Sequence, residues 1–235
     1  MQFILRFGLL AICLCAIACS ENSSSASDFD AASICPENLR GTFIDERDGQ
    51  VYKYTTIGNQ IWMAENLNYD SPHSYCADNV ENYCEIFGRL YALIENEEDF
   101  GNLDSNLVAT VCPAGWRVPS EEDWLTLMNT IGGENTRLVD GKFESEYGLR
   151  LRSNLFWEYS MYYAGDSCGF SVLPAGFSNK HFKIQGVGES AFFCSSTPNI
   201  YSDSTVSIKA GILSGRTFSL VHNGSNKMSI RCIKE

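Results

Sequence analysis

The sequence predicts an α+β domain: antiparallel strands with two short helices and long irregular loops. Three observations predict it: a hairpin signature at residues 51–63, a capped amphipathic segment beginning at Ser120, and short β-rich segments from residue 169 to the end. The order of hairpin, two helices, irregular segment and several strands fits helices packed on an antiparallel sheet.

Each element has its own local cause. Val51, Tyr52, Lys53, Tyr54 and Thr55 are strand formers, Gly58-Asn59 is a two-residue turn signal, and "QIWMAENL" returns. A polar loop follows over residues 75–85. In "EIFGRLYALIENEEDF", Phe87, Leu90, Tyr91 and Ile94 recur at helical spacing and predict the first helix. The second begins after Pro119. Ser120 can cap a free backbone N–H, and Asp123, at the third helical position, can reach back to the cap. Glu121, Glu122 and Asp123 also sit at the positive end of the helix dipole. Trp124, Leu127, Met128 and Ile131 form one apolar stripe, which makes Trp124 a core anchor, and Gly132-Gly133 ends the helix. Cys112 precedes a proline and has no histidine near it in sequence. "CPAGWRVPSEEDWLTL" is therefore the entrance to a helix, not a nucleophile loop. Later, "GFSVLPAGFSN", "ESAFFCSST", "TVSIKAGIL", "TFSLVHNG" and "NKMSIRCIK" are short β-rich segments, and Asn223-Gly224 predicts a second hairpin.

Composition bounds the function. The chain has 235 residues, 44% hydrophobic and 20% charged, so it can bury a core and is not generally disordered. Its formal charge of -12 opposes binding to nucleic acid or anionic lipid. Residues 1–18 carry Arg6 and then an apolar run with the length of a signal-peptide core. The run ends in "AIAC", which resembles the bacterial lipobox; that resemblance implies lipidation of Cys19 and a membrane anchor that does not span the bilayer. Residues 19–40, opening "CSENSSSASDFDAAS", read as a Ser-rich tether, and residues 41–235 as the domain. The expected location is the cell envelope, lipid-anchored at the outer membrane or cell surface.

Ten cysteines are present. Cys13 and Cys15 leave with the signal and Cys19 carries lipid, so Cys35, Cys76, Cys84, Cys112, Cys168, Cys194 and Cys232 remain. In an exported chain these form disulfides, at most three. Cys76 and Cys84 bracket a short polar loop and are the local pair. Cys112 with Cys232 is the expected long-range pair, and Cys168 with Cys194 could join successive strands. Cys35, at the tether boundary, is left over. No CxxC pair occurs and the three histidines are far apart in sequence, so no zinc or other cofactor is expected.

The segments "DERDGQVYKYTTIGNQIWMAENLNY", "FGRLYAL", "CPAGWRVPSEEDWLTL", "GFSVLPAGF", "AFFCSST" and "SIRCIK" resemble, in this order, the Fibrobacter succinogenes major paralogous domain family over residues 41–235. That family occurs in exported and surface-anchored bacterial proteins, and its molecular function is largely undefined. The resemblance implies a C-type lectin-like fold, shared with the formylglycine-generating enzyme group. "RVPSEEDW" is similar to the "RLPTEAEW" helix of that group. Cys194 stands where the family often has an aromatic residue.

These features favour a non-catalytic binding module for an extracellular polysaccharide or envelope protein, with a structural envelope role as the alternative. In "FWEYSMYYAG", Trp157, Tyr159, Tyr162 and Tyr163 are the candidate ligand residues, because flat rings can stack on sugars or partner proteins. The competing assignment has these rings completing the core beneath a long loop. No EPN, QPD or WND triplet supports calcium-dependent sugar binding, and Asp78, Glu81 and Glu85 read as a solvated loop. The formylglycine-generating relatives handle copper with a close cysteine pair near the chain end; here Cys232 stands alone after Cys194, so catalysis is not expected.

Overall fold

The computed structural model describes residues 29–76, 80–93, 104–132, 137–139, 142–145, 147–158, 165–178, 184–200, 206–214, 217–223 and 227–235. Cys19 and the residues before it lie outside them. The strands are β1 (Gly41–Ile44), β2 (Val51–Ile57), β3 (Gln60–Met63), β4 (Ser74–Tyr75), β5 (Leu90–Tyr91), β6 (Trp116–Arg117), β7 (Arg137–Val139), β8 (Lys142–Ser145), β9 (Phe177–Ser178), β10 (Ile184–Gln185), β11 (Ser190–Ile200), β12 (Val206–Ser214), β13 (Thr217–Asn223), β14 (Met228–Ser229) and β15 (Ile233–Lys234). The helices are α1 (Ala31–Ile34), α2 (Tyr83–Phe87), α3 (Ser105–Thr110) and α4 (Glu121–Gly132).

The architecture is α+β. One sheet runs β1-β2-β3-β15-β6 and a larger one β4-β5-β14-β11-β12-β13-β8-β7, with β9 and β10 as a separate pair. Pairing within these sheets is antiparallel except between β11 and β14. The hairpin expected at Gly58-Asn59 is present, with Ile57 opposite Gln60 and Thr55 opposite Trp62. The last strand returns to it, Ile233 pairing with Trp62.

Helix α4 forms as its sequence directs. Asp123 N–H donates to Ser120 Oγ at 3.2 Å, and Ser120 N–H donates to Asp123 Oδ2 at 2.7 Å, which is a reciprocal capping box. Arg117 adds two bonds to the same carboxylate, at 2.6 and 2.9 Å. Burial pulls the Asp123 carboxyl upward, but the Arg117 and Ser120 donors outweigh it and hold it below its ordinary value. A depressed folded-state pKa contributes stability above the unfolded value near 4 that is lost as pH falls through the folded one. Asp123→Ala is therefore expected to cost about 1–2 kcal/mol at neutral pH. In denaturant melts against pH, its deficit relative to the parent should shrink in acid. A deficit that persists at low pH would remove the carboxylate from this role.

The stripe of α4 is wholly buried. Trp124 lies against Trp62, Phe193 and Phe218, with ring centroids 4.7, 5.4 and 5.7 Å away, and its Nε1–H donates to Cys194 O at 3.3 Å. A second core beneath the smaller sheet gathers Met63, Leu67, Tyr91, Trp116, Met228 and Ile230 around Cys112 and Cys232.

Four expectations are corrected. First, the helix predicted through Ile94 stops at Phe87, and Leu90–Tyr91 is a strand. Gly88 has φ 74°, and a Cβ there would stand 2.9 Å from both Asn66 Cβ and Leu67 O; the chain must turn, and Arg89 N–H then bonds Leu67 O. Second, Gly224 lies outside the described residues, and among those described the strands on either side of Asn223-Gly224 are not partners: β13 pairs with β12 and β8 while β14 pairs with β11 and β5. Third, residues 29–35, read from composition as part of a tether, pack on the domain. Phe29, Ala31 and Ile34 pack on the core, Ile34 O accepts from Gly58 N–H at 2.7 Å, and Cys35 is buried. Fourth, that docking changes the cysteine pairing. The bridges are Cys35–Cys168, Cys76–Cys84 and Cys112–Cys232, and Cys194 is the free thiol. Complete burial pushes the Cys194 thiol up to about 12, so it is inert. Helix α3, capped by Asp104 through Asn106 and Leu107 N–H, was not signalled by the hydrophobic period.

Candidate functional site

A cleft of about 490 Å³ opens between β2 of the smaller sheet, helix α2 and the loops at 153–156 and 171–173, within the ~300–1,000 Å³ range of ligand pockets. Strand β2 gives one wall through Val51, Tyr52 and Lys53. The segment after β3 adds Ala64, Glu65, Asn66 and Asn68. Helix α2 supplies Glu85, Ile86 and Phe87, and the loops at 153–156 and 171–173 close the far side. The Cys76–Cys84 bridge fixes the start of α2, and the capped turn at Gly88 fixes its end.

The floor is polar and tightly bonded. Arg231 is buried, donating from Nε and Nη2 to Asn66 Oδ1 at 3.1 and 2.7 Å and from Nη1 to Phe170 O. Its guanidinium also lies 4.7 Å over the Phe170 ring. Burial pushes Arg231 down to about 9, against the opposing pull of Asp166 and Glu65. Asn66 is held in turn, donating from Nδ2 to Phe87 O at 2.8 Å. The "SIRC" arginine and Asn66 thus lock three walls together. On the open side, Glu65 pairs with Lys53 at 3.4 Å.

The rim is apolar. Among the described residues five large hydrophobic side chains are exposed, and four gather here: Val51 (59%), Leu155 (60%) and Phe156 (53%) line the cleft, and Ile44 (62%) is the cross-strand partner of Val51. Phe156 adopts φ 66°, a left-handed conformation costly for a bulky residue. Its ring meets Phe87 edge-on, with centroids 5.6 Å apart. This turn sends Phe156 outward and its neighbour inward. Trp157 is only 9% exposed, donates from Nε1 to Val172 O at 3.3 Å and stacks under Arg152 at 3.9 Å. Trp157 is therefore a core residue and offers no ligand platform. Tyr159, Tyr162 and Tyr163 lie outside the described residues.

The backbone conformation at Phe156 has a direct check. Phe156→Gly, which fits a positive φ, should be more stable than Phe156→Val by about 1–2 kcal/mol. The reverse order in thermal melts would mean that the residue is not left-handed in solution.

Sequence reasoning reached Phe156 as one ring of "FWEYSMYYAG" but missed Arg231 and Asn66 as cleft residues. Only the exposed pair Leu155-Phe156, apolar in a loop, carried a local signal. Among the described residues, no group of three His, Cys, Asp or Glu side chains is placed to hold a metal, and no helix is long and apolar enough to cross a membrane.

Fold and cleft together define a disulfide-bonded α+β domain with a polar-floored, apolar-rimmed depression. The chain belongs to the Fibrobacter succinogenes major domain family, whose profile it matches over residues 55–234. No curated protein and no solved structure matches it.

Proposed function

We propose that this protein is a non-catalytic binding module, lipid-anchored through Cys19 at the outer membrane or cell surface, that holds an extracellular glycan or protein in the cleft. The observation carrying this is the gathering of exposed apolar side chains around one depression, since scattered single residues are ordinary but a contiguous patch marks an interaction site. The return of β15 to β3 supports a C-type lectin-like arrangement. The floor's polar groups bond one another, which suits a rigid scaffold rather than a reaction centre.

The test is retention on immobilised cell-envelope polysaccharide and envelope-protein fractions. Leu155→Ser with Phe156→Ser should lower retention at least about tenfold with melting unchanged. Undiminished retention in a folded double variant would exclude the cleft. Retention lost only on removing Cys19 would favour a purely structural envelope role.

A further inference from the structure

We infer that the occupant of the cleft is an extended peptide segment of a partner protein, carrying aliphatic or aromatic side chains flanked by basic ones. The inference rests on the binding-module proposal and narrows its ligand. The rim supplies the first argument. Among the described residues Ile44, Val51 and Leu155 are aliphatic, and Phe156 is the large exposed ring beside them. A sugar presents C–H faces to flat rings and hydroxyls to polar partners, and branched aliphatic side chains serve neither. An apolar peptide side chain gains roughly 25 cal/mol for each Å² of apolar surface it helps remove from water. An aromatic anchor surrounded by aliphatic contacts is the make-up of protein–protein contact cores.

Charge supplies the second argument. Within the cleft, Glu65 is matched by Lys53, and Arg231 is shut into the floor with its donors engaged. Glu85 on α2 is exposed and has no direct ion pair among the described residues, and the same holds for Glu46 and Asp48 in the turn leading to Val51. Arg47, between those two, is spent on Asp45 at 2.7 Å. Asp48 accepts from Gln50 N–H and Nε2, which are neutral donors and leave its charge uncompensated. On a chain of formal charge -12, Glu85 beside one wall and Glu46 and Asp48 before the other therefore attract Lys or Arg and repel an acidic segment.

The test uses the purified full chain in detergent against immobilised short synthetic peptides. One set combines Leu and Phe with Lys, a second the same apolar residues with Glu, and a third Ser with Lys. Neutral glucans, xylans and mannans form the comparison. The expected result is binding to the first set alone, weakened at least about tenfold by Leu155→Ser with Phe156→Ser. Val51→Thr, on the opposite wall and still a strand former, serves if the double variant fails to fold. Binding of a neutral glycan through these residues, or equal binding of the Lys and Glu sets, overturns the peptide assignment and leaves the binding module standing. Binding to no peptide and no glycan overturns both.

Discussion

Replacing Cys35 and Cys168 together by alanine is expected to lower stability by about 2–5 kcal/mol. The bridge spans 133 residues of sequence, so in the unfolded chain it closes a very long loop. Chain entropy makes such a bridge worth about 2.5 kcal/mol more than the eight-residue Cys76–Cys84 link. Native contacts reinforce the position. Arg40 Nη2 donates to Ser167 O at 3.1 Å, Thr55 Oγ1 donates to Cys168 O at 2.5 Å, and Phe29 and Ile34 lie on the core around Leu151 and Phe170. Losing the bridge should therefore loosen residues 29–40 first. Urea melts of the non-reduced double variant measure the cost, and limited proteolysis near Arg40 measures the loosening. A Cys76→Ala, Cys84→Ala variant that is the more destabilised of the two would contradict the assignment.

Trp124→Ala carries the second large effect, about 3–5 kcal/mol. The ring is wholly buried where α4 meets both sheets, touching Trp62 of the smaller sheet and Phe193 and Phe218 of the larger. Its removal leaves a cavity and takes the indole donor from Cys194 O. Leu125, one residue on, is only partly buried, and Leu125→Ala should cost far less. Equal losses at the two positions would mean that the stripe does not set the helix's orientation.

What could be read in the sequence was local. The Ser120–Asp123 box, the Gly58-Asn59 turn and the short Cys76–Cys84 loop each depend on residues a few positions apart, and all three form. Cys112–Cys232 was also anticipated, with no local argument behind it. Failures came where distant chain decided the outcome. Leu90 and Tyr91 have helical spacing, yet the approach of Asn66 and Leu67 to Gly88 turns them into a strand. The Ser-rich composition before residue 40 hid Phe29, Ile34 and Cys35, which dock only because Cys168 and Gly58 await them. The cleft was the least legible feature. Its walls come from five separate stretches, and the reversal of Trp157 and Phe156 depends on one positive φ that no residue type announced.

Peptide mapping of the unreduced protein, recovered from the membrane fraction, tests most directly whether the chain is exported and closed by its own cross-links. The expected result is a lipid-bearing Cys19 at the amino end, the three pairs Cys35–Cys168, Cys76–Cys84 and Cys112–Cys232, and an unmodified Cys194 thiol that reacts only after denaturation. Recovery of the intact chain from cytosol with every one of these thiols reduced, or a bridge engaging Cys194, would contradict it.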